Sequence, residues 1–115
     1  MNVLLDENLD HRLRNYLDKH DVFTTSYKGW DGLKNGKLLE TAEKGGVDVL
    51  VTGDKTLSYE QNLTGRKLAI VALSAVEWRI VKDHLGVIVA AVDNATRVTF
   101  QTADCGTFSR KKPRP

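Results

Sequence analysis

Two adjacent carboxylates, Asp6 and Glu7, follow directly on the apolar run Val3-Leu4-Leu5, and a third, Asp54, follows the run Val47-Asp48-Val49-Leu50-Val51-Thr52 after Gly53. Both runs read as buried strands, which puts all three acids at strand ends. Carboxylates gathered at one place repel each other unless a cation lies between them. Hard divalent ions such as Mg²⁺ or Mn²⁺ favour oxygen ligands, and Mg²⁺ usually takes one or two protein carboxylates plus waters. Such an ion polarises a phosphoryl oxygen and activates water, which is the chemistry of phosphodiester hydrolysis. Each acid also has a plainer reading. Asp6 can cap a helix or form a salt bridge, Asp54 can be a turn residue after Gly53, and Glu7 can sit exposed where its charge suits a helix dipole.

The elements that must position these acids follow from periodicity. Val3 to Leu5 form a short buried strand. Leu9, Leu13, Tyr16 and Leu17 predict an amphipathic helix over 9–19, with Asn8 as its cap. Residues 22–25 (VFTT) predict a second strand, and the glycine-rich SYKGWDGLKNGK stretch a loop. Leu38, Leu39 and Ala42 suit a helix over 35–44, stopped by Gly45-Gly46. Strands are expected over 47–52 and 67–73. Ser74 is placed to cap a short helix through Trp78 and Val81, a longer helix should cover 83–94 with Gly86 as its weak point, and a last strand should cover 97–101. Apolar strands alternating with helices predict an α/β fold with a mainly parallel sheet, whose ligands bind outside the carboxyl ends of the strands.

A chain of 115 residues, 41% hydrophobic and 28% charged, is expected to form one domain over 1–102. The tail, 103–115, is expected to be disordered and basic, since Arg110, Lys111, Lys112 and Arg114 crowd its end; it can add phosphate affinity without sequence preference. No apolar run is long enough for a membrane span and no signal-peptide pattern opens the chain, so a cytoplasmic location without membrane partners is the expectation. The single cysteine, Cys105, reads as an incidental thiol of a loop or tail.

MNVLLDENL and the segment GWDGLKNGKLLETAEKGGVDVLVTGDKTLSYEQNL resemble the PIN-like nucleases, in particular a branch of short stand-alone proteins. The resemblance extends in element order over about residues 1–100 and is most specific in LLDEN and LKNGxLL…VLVTxD. It implies a three-layer α/β/α fold and a metal-dependent ribonuclease using Mg²⁺ or Mn²⁺. It further implies the toxin of a toxin–antitoxin pair as the biological role, with a cognate antitoxin and a homodimer among the expected partners. On this basis Asp6 and Asp54 are the metal-site acids, with Glu7 assisting, and Thr52 matches the small hydroxyl residue before the second acid, with local hydrogen bonding as its work.

The chain departs from the family pattern in two places. Asn35 stands where many PIN-like sequences have an acid opening the helix, and Lys55, Thr56 and Leu57 supply no acid after Asp54. Asparagine can ligate a hard cation through its carbonyl oxygen but brings no charge, which lowers metal affinity. Asn35 is therefore a candidate substrate or metal contact, with a turn or helix start as the alternative. Glu40 lies on a helix where an exposed face is expected. Arg12 and Arg14 are candidates for phosphate contact, against a solvated helix face. Trp30 can stack a base but is expected to pack over the core edge, and Trp78 to belong to the core or a dimer contact. Tyr59, Gln61 and Asn62 follow Asp54 closely enough to line the same cleft. His11, His20 and His84 show no ligand spacing. The rival classes are a catalytically weak PIN-like RNA-binding or protein-interaction module, and a receiver-like domain. The latter needs a strand-end lysine, whereas Lys67 begins its strand.

Overall fold

The computed structural model describes residues 1–33, 35–53, 68–95, 100–103 and 105. Asp54, Tyr59, Gln61, Asn62 and Lys67 lie outside the described residues, as do 97–99 of the expected last strand and most of the basic tail.

Among the described residues, five strands form one sheet: β1 (Asn2–Leu5), β2 (Asp21–Thr24), β3 (Val49–Thr52), β4 (Ala69–Leu73) and β5 (Phe100–Ala103). Their order is β2-β1-β3-β4-β5, and every neighbouring pair is parallel. The expected α/β class with a parallel sheet is therefore present. From β1 the chain moves outward to β2, then crosses back over β1 to reach β3, so the direction of winding reverses between β1 and β3. In open α/β sheets that reversal opens a crevice at the carboxyl ends of the two strands.

The inner strands β1, β3 and β4 are apolar runs because both faces are covered. Val3, Leu5, Val49, Val51, Val71 and Leu73 point to one face, where they pack with Leu9, Leu13, Leu17, Val81, Ile88 and Val92. Leu4, Leu50 and Ile70 point to the other, against Leu38, Leu39 and Ala42 of the helix α2 (Asn35–Lys44). Each fully buried leucine contributes about 1.5–3 kcal/mol. Helix α2 has the expected bounds. It stops as expected at Gly45-Gly46, where Gly46 takes φ +83 and its N–H reaches the Glu43 carbonyl while that of Val47 reaches Ala42. This is a Schellman ending, and the left-handed residue it needs is glycine.

Several expected boundaries shift. The helix expected over 9–19 is a six-residue 3-10 helix, His11–Tyr16, and its cap is Asp10 rather than Asn8: the Asp10 carboxylate accepts from the Arg12 N–H at 2.9 Å. Leu9 and Leu17 are buried beside this helix, outside its ends. After β2 comes α1 (Thr25–Lys28), capped by the Thr24 hydroxyl accepting from the Tyr27 N–H. Ser74 does not cap the following helix, α3 (Trp78–Val81), which starts after Glu77. A 3-10 turn, Lys82–His84, leads into α4 (Leu85–Asp93). The Ser74 hydroxyl oxygen instead accepts from the Cys105 N–H at 2.6 Å. Cys105 is only 1% exposed and belongs to the apolar cluster with Ala103, so the fold continues past residue 102. Among the described residues, no helix is long and apolar enough to cross a membrane.

Candidate functional site at the carboxyl end of the sheet

The register pairs Leu4 with Leu50 and Leu5 with Val51, so the next residues, Asp6 and Thr52, come side by side on the α2 face at the β1/β3 reversal. The ladder extends one bond further, from the Asp6 N–H to the Val51 carbonyl at 2.9 Å. Asp6 is half-buried. Its Oδ2 accepts the hydroxyl of the fully buried Thr52 at 2.7 Å, and its Oδ1 accepts the Glu7 N–H at 2.8 Å. Thr52 thus performs the local hydrogen bonding expected of it and orients the Asp6 carboxylate.

Glu7 is exposed and turns toward the loop after α1, where its Oε1 accepts the Gly32 N–H at 2.7 Å. Gly32 adopts φ +90, a left-handed backbone that glycine tolerates without strain. The amide oxygen of Asn8 accepts a long bond, 3.4 Å, from the Gly53 N–H. These contacts draw the β1 end, the β3 end and the 29–33 loop into one cluster. Asn35 opens α2, which begins shortly after that loop. Asp54 is outside the described residues, so the cluster is known by its first acid, its neighbour and the threonine.

Neither Asp6 nor Glu7 pairs with a lysine or arginine among the described residues. A carboxylate oxygen carries two acceptor sites, so among the described residues each Asp6 oxygen keeps one after its hydrogen bond. That is a donor set suited to a hard cation of the Mg²⁺ type, which needs one or two carboxylates and fills the rest of its shell with water. No group of three or more His, Cys, Asp or Glu side chains converges as a metal cage among the described residues.

Other sequence candidates go elsewhere. Arg12 is held by Asp10, through Nε to Oδ1 at 3.0 Å and Nη2 to Oδ2 at 2.7 Å, and its guanidinium lies 4.8 Å from the centre of the Trp78 ring. Arg12 and the adjacent amide hold the Asp10 carboxyl well below the usual carboxylate range. Glu40 is exposed on α2 and pairs with Lys37 and Lys44. Trp30 is half-buried against the α2 cluster, as expected of a residue packing over the core edge, and Trp78 packs likewise against the opposite cluster. His20, which shows no ligand spacing, has its Nε2 2.8 Å from Asp93 Oδ1 and ties the start of β2 to the end of α4. Four strands end without lysine in the residue that follows: Asp6 after β1, Thr25 after β2, Gly53 after β3 and Ser74 after β4. One feature lacks any sequence signal of spacing: Phe23, Tyr27 and Lys28 assemble on β2 and α1 at the same end of the sheet.

Comparison with protein-family models, curated proteins and solved structures finds no match.

Proposed function

We propose that this chain is a metal-dependent ribonuclease of three-layer PIN-like fold, hydrolysing RNA phosphodiester bonds as the toxin of a toxin–antitoxin pair. The observation that supports it is the Asp6 carboxylate at the β1/β3 reversal, locked by Thr52 and free of any cationic partner among the described residues. Asp6, with Glu7 and Asp54, would hold Mg²⁺ or Mn²⁺. When bound, such an ion supplies Lewis acidity and an activated water. The contribution of the chain is positional. Thr52 and the Glu7 amide fix the Asp6 carboxylate plane, and the Gly32 amide fixes Glu7 beside it. A carboxylate held in one orientation loses no further freedom when it ligates, which favours a weakly charged site.

The test is cleavage of single-stranded RNA by the purified protein with Mn²⁺, beside Asp6→Asn. Cleavage by the wild type that EDTA stops and Asp6→Asn lowers by about 10²-fold or more is expected, given the usual effect of removing an electrostatic group from an active site. Equal cleavage by both proteins rejects the assignment.

A second reading has its own support in Asn35 and in the acid-free stretch Lys55-Thr56-Leu57: a catalytically weak PIN-like module that binds RNA or protein. Titration calorimetry separates the two. Heat of Mn²⁺ binding that disappears in Asp6→Asn favours the nuclease, whereas RNA binding without metal binding at millimolar concentration favours the module.

A further inference from the structure

Tyr27 is 73% exposed, although its ring is large and mostly apolar. It stacks on Phe23, with ring centroids 5.9 Å apart and planes inclined by 21°. Phe23 is half-buried, anchored by its strand and by the α2 cluster, so the outer ring has a rigid backing. The Lys28 ammonium sits 4.4 Å from the Phe23 ring centre and 5.6 Å from that of Trp30, which holds a positive charge beside the stack. Phe23 is in register with Leu4, two residues before Asp6 on the same face of the sheet. From strand rise and spacing, the Cα atoms of Phe23 and Asp6 are roughly 8 Å apart.

An exposed aromatic face on a fixed backing, with a cation over the backing ring, has the two elements that bind an unpaired nucleotide: a surface for the base and a charge for the phosphate. A protein partner of apolar chemistry would not use the ammonium, and a folded duplex offers no free base face to Tyr27. We propose that Tyr27, backed by Phe23 and flanked by Lys28, is a base-stacking site for single-stranded RNA leading to Asp6. This rests on the ribonuclease reading for the identity of the nucleic acid, and adds where the strand is held.

The experiment measures anisotropy of a short fluorescein-labelled oligoadenylate with the full chain, in EDTA so that nothing is cut. Tyr27→Ala should weaken binding by roughly 5- to 150-fold, as loss of one stacked base does, while Tyr27→Phe should bind as the wild type does. Lys28→Gln should lower the slope of log affinity against log salt by about 0.7, the value for one phosphate of a single strand. Tyr27 is exposed enough for both of its variants to fold, and circular dichroism checks this for them and for Lys28→Gln. Tyr27→Ala binding as tightly as wild type, or no binding by the wild type at all, overturns the proposal. The same proteins assayed with Mn²⁺ separate the two readings. Cleavage with Tyr27-independent binding keeps the nuclease and removes the stacking site, and Tyr27-dependent binding without cleavage does the reverse.

Discussion

Thr52 donates its hydroxyl hydrogen to Oδ2 of Asp6 over 2.7 Å, joining the ends of two neighbouring parallel strands at the point where the sheet reverses its winding. The donor is fully buried and the acceptor half-buried, so the bond lies at the boundary between core and solvent. Thr52→Val keeps the shape and deletes the donor. It should cost about 1–2 kcal/mol in urea unfolding, since a hydrogen bond to an ionised group is among the stronger kind. In a cycle with Asp6→Asn, the two losses should sum to more than the double variant shows. Strict additivity would mean that the two side chains do not interact in solution.

Gly53 separates Thr52 from the acid of the VLVTGD segment, and its missing side chain is a packing requirement. A Cβ there would run into the Cγ1 atom of Val76 and approach the Asn8 amide nitrogen at 3.5 Å. Gly53→Ala should therefore destabilise by roughly 1–3 kcal/mol, the range for overpacking. Val76 is itself 40% exposed, so Val76→Ala alone should cost little. Combined with Gly53→Ala it should restore most of the stability. A double variant no better than Gly53→Ala would place the strain elsewhere.

The parts of this arrangement legible in the sequence are those decided by local pattern. Continuous apolar runs announced β1, β3 and β4, and the Gly45-Gly46 stop set the end of α2. Asp6 stands out because it directly follows an apolar run, whereas Thr52 enters only through the PIN-like resemblance, and their contact depends on the β1–β3 pairing. Leu9, Leu13 and Leu17 misled because fourfold spacing is shared by an α-helix and by a short 3-10 segment flanked by buried leucines. The choice fell to Asp10, whose carboxylate captures the Arg12 amide and guanidinium together. Ser74 is not the helix cap its position suggests, and its contact with Cys105 leaves no local trace in the sequence. Their hydrogen bond joins positions 31 residues apart, and only the β4–β5 pairing brings them together. The stacking of Tyr27 on Phe23 was equally invisible, since it depends on the sharp turn from β2 into α1.

Trp30 lies across Gly45, where a Cβ would stand 2.6 Å from the far corner of the indole. Gly45→Ala should push the ring outward and cost about 1 kcal/mol, the low end for overpacking against a side chain that can move. Fluorescence in a Trp78→Phe background isolates this indole, and its emission should shift to the red. An unshifted spectrum would mean that Trp30 does not pack on the end of α2.

The Asp10–Arg12 pair gives the fold a defined acid response. Asp10 is held below its ordinary range chiefly by the Arg12 side-chain hydrogen bond and then by the Arg12 amide. A carboxyl with a depressed folded-state pKa stabilises the fold above its unfolded value, about 3.9, and loses that contribution as the pH falls toward the folded value. Urea midpoints measured from about pH 5 down to about pH 2 should therefore fall less steeply in Asp10→Asn than in the wild type. Both sets should lie closer together in high salt, because the pair is exposed to solvent. Parallel curves at all pH values would show that the pair does not persist in solution.

Cys105 reports on whether the end of the chain is part of the fold. Its side chain is 1% exposed in the apolar cluster, its N–H donates to the Ser74 hydroxyl oxygen, and the Ser74 N–H in turn reaches the Ala103 carbonyl at 3.1 Å. The thiol should react with a disulfide reagent far more slowly in the native protein than in urea, at a rate governed by opening of the β5 end. Cys105→Ala keeps the two backbone bonds and should cost about 1 kcal/mol through lost packing. Cys105→Ser adds a hydroxyl to the same apolar surroundings and should cost about 1–3 kcal/mol. A chain ending at Thr102 loses both bonds and the buried Ala103 as well, and should be the least stable of the three. Native-state labelling as fast as in urea, with the truncated chain as stable as the full one, would detach this segment from the core.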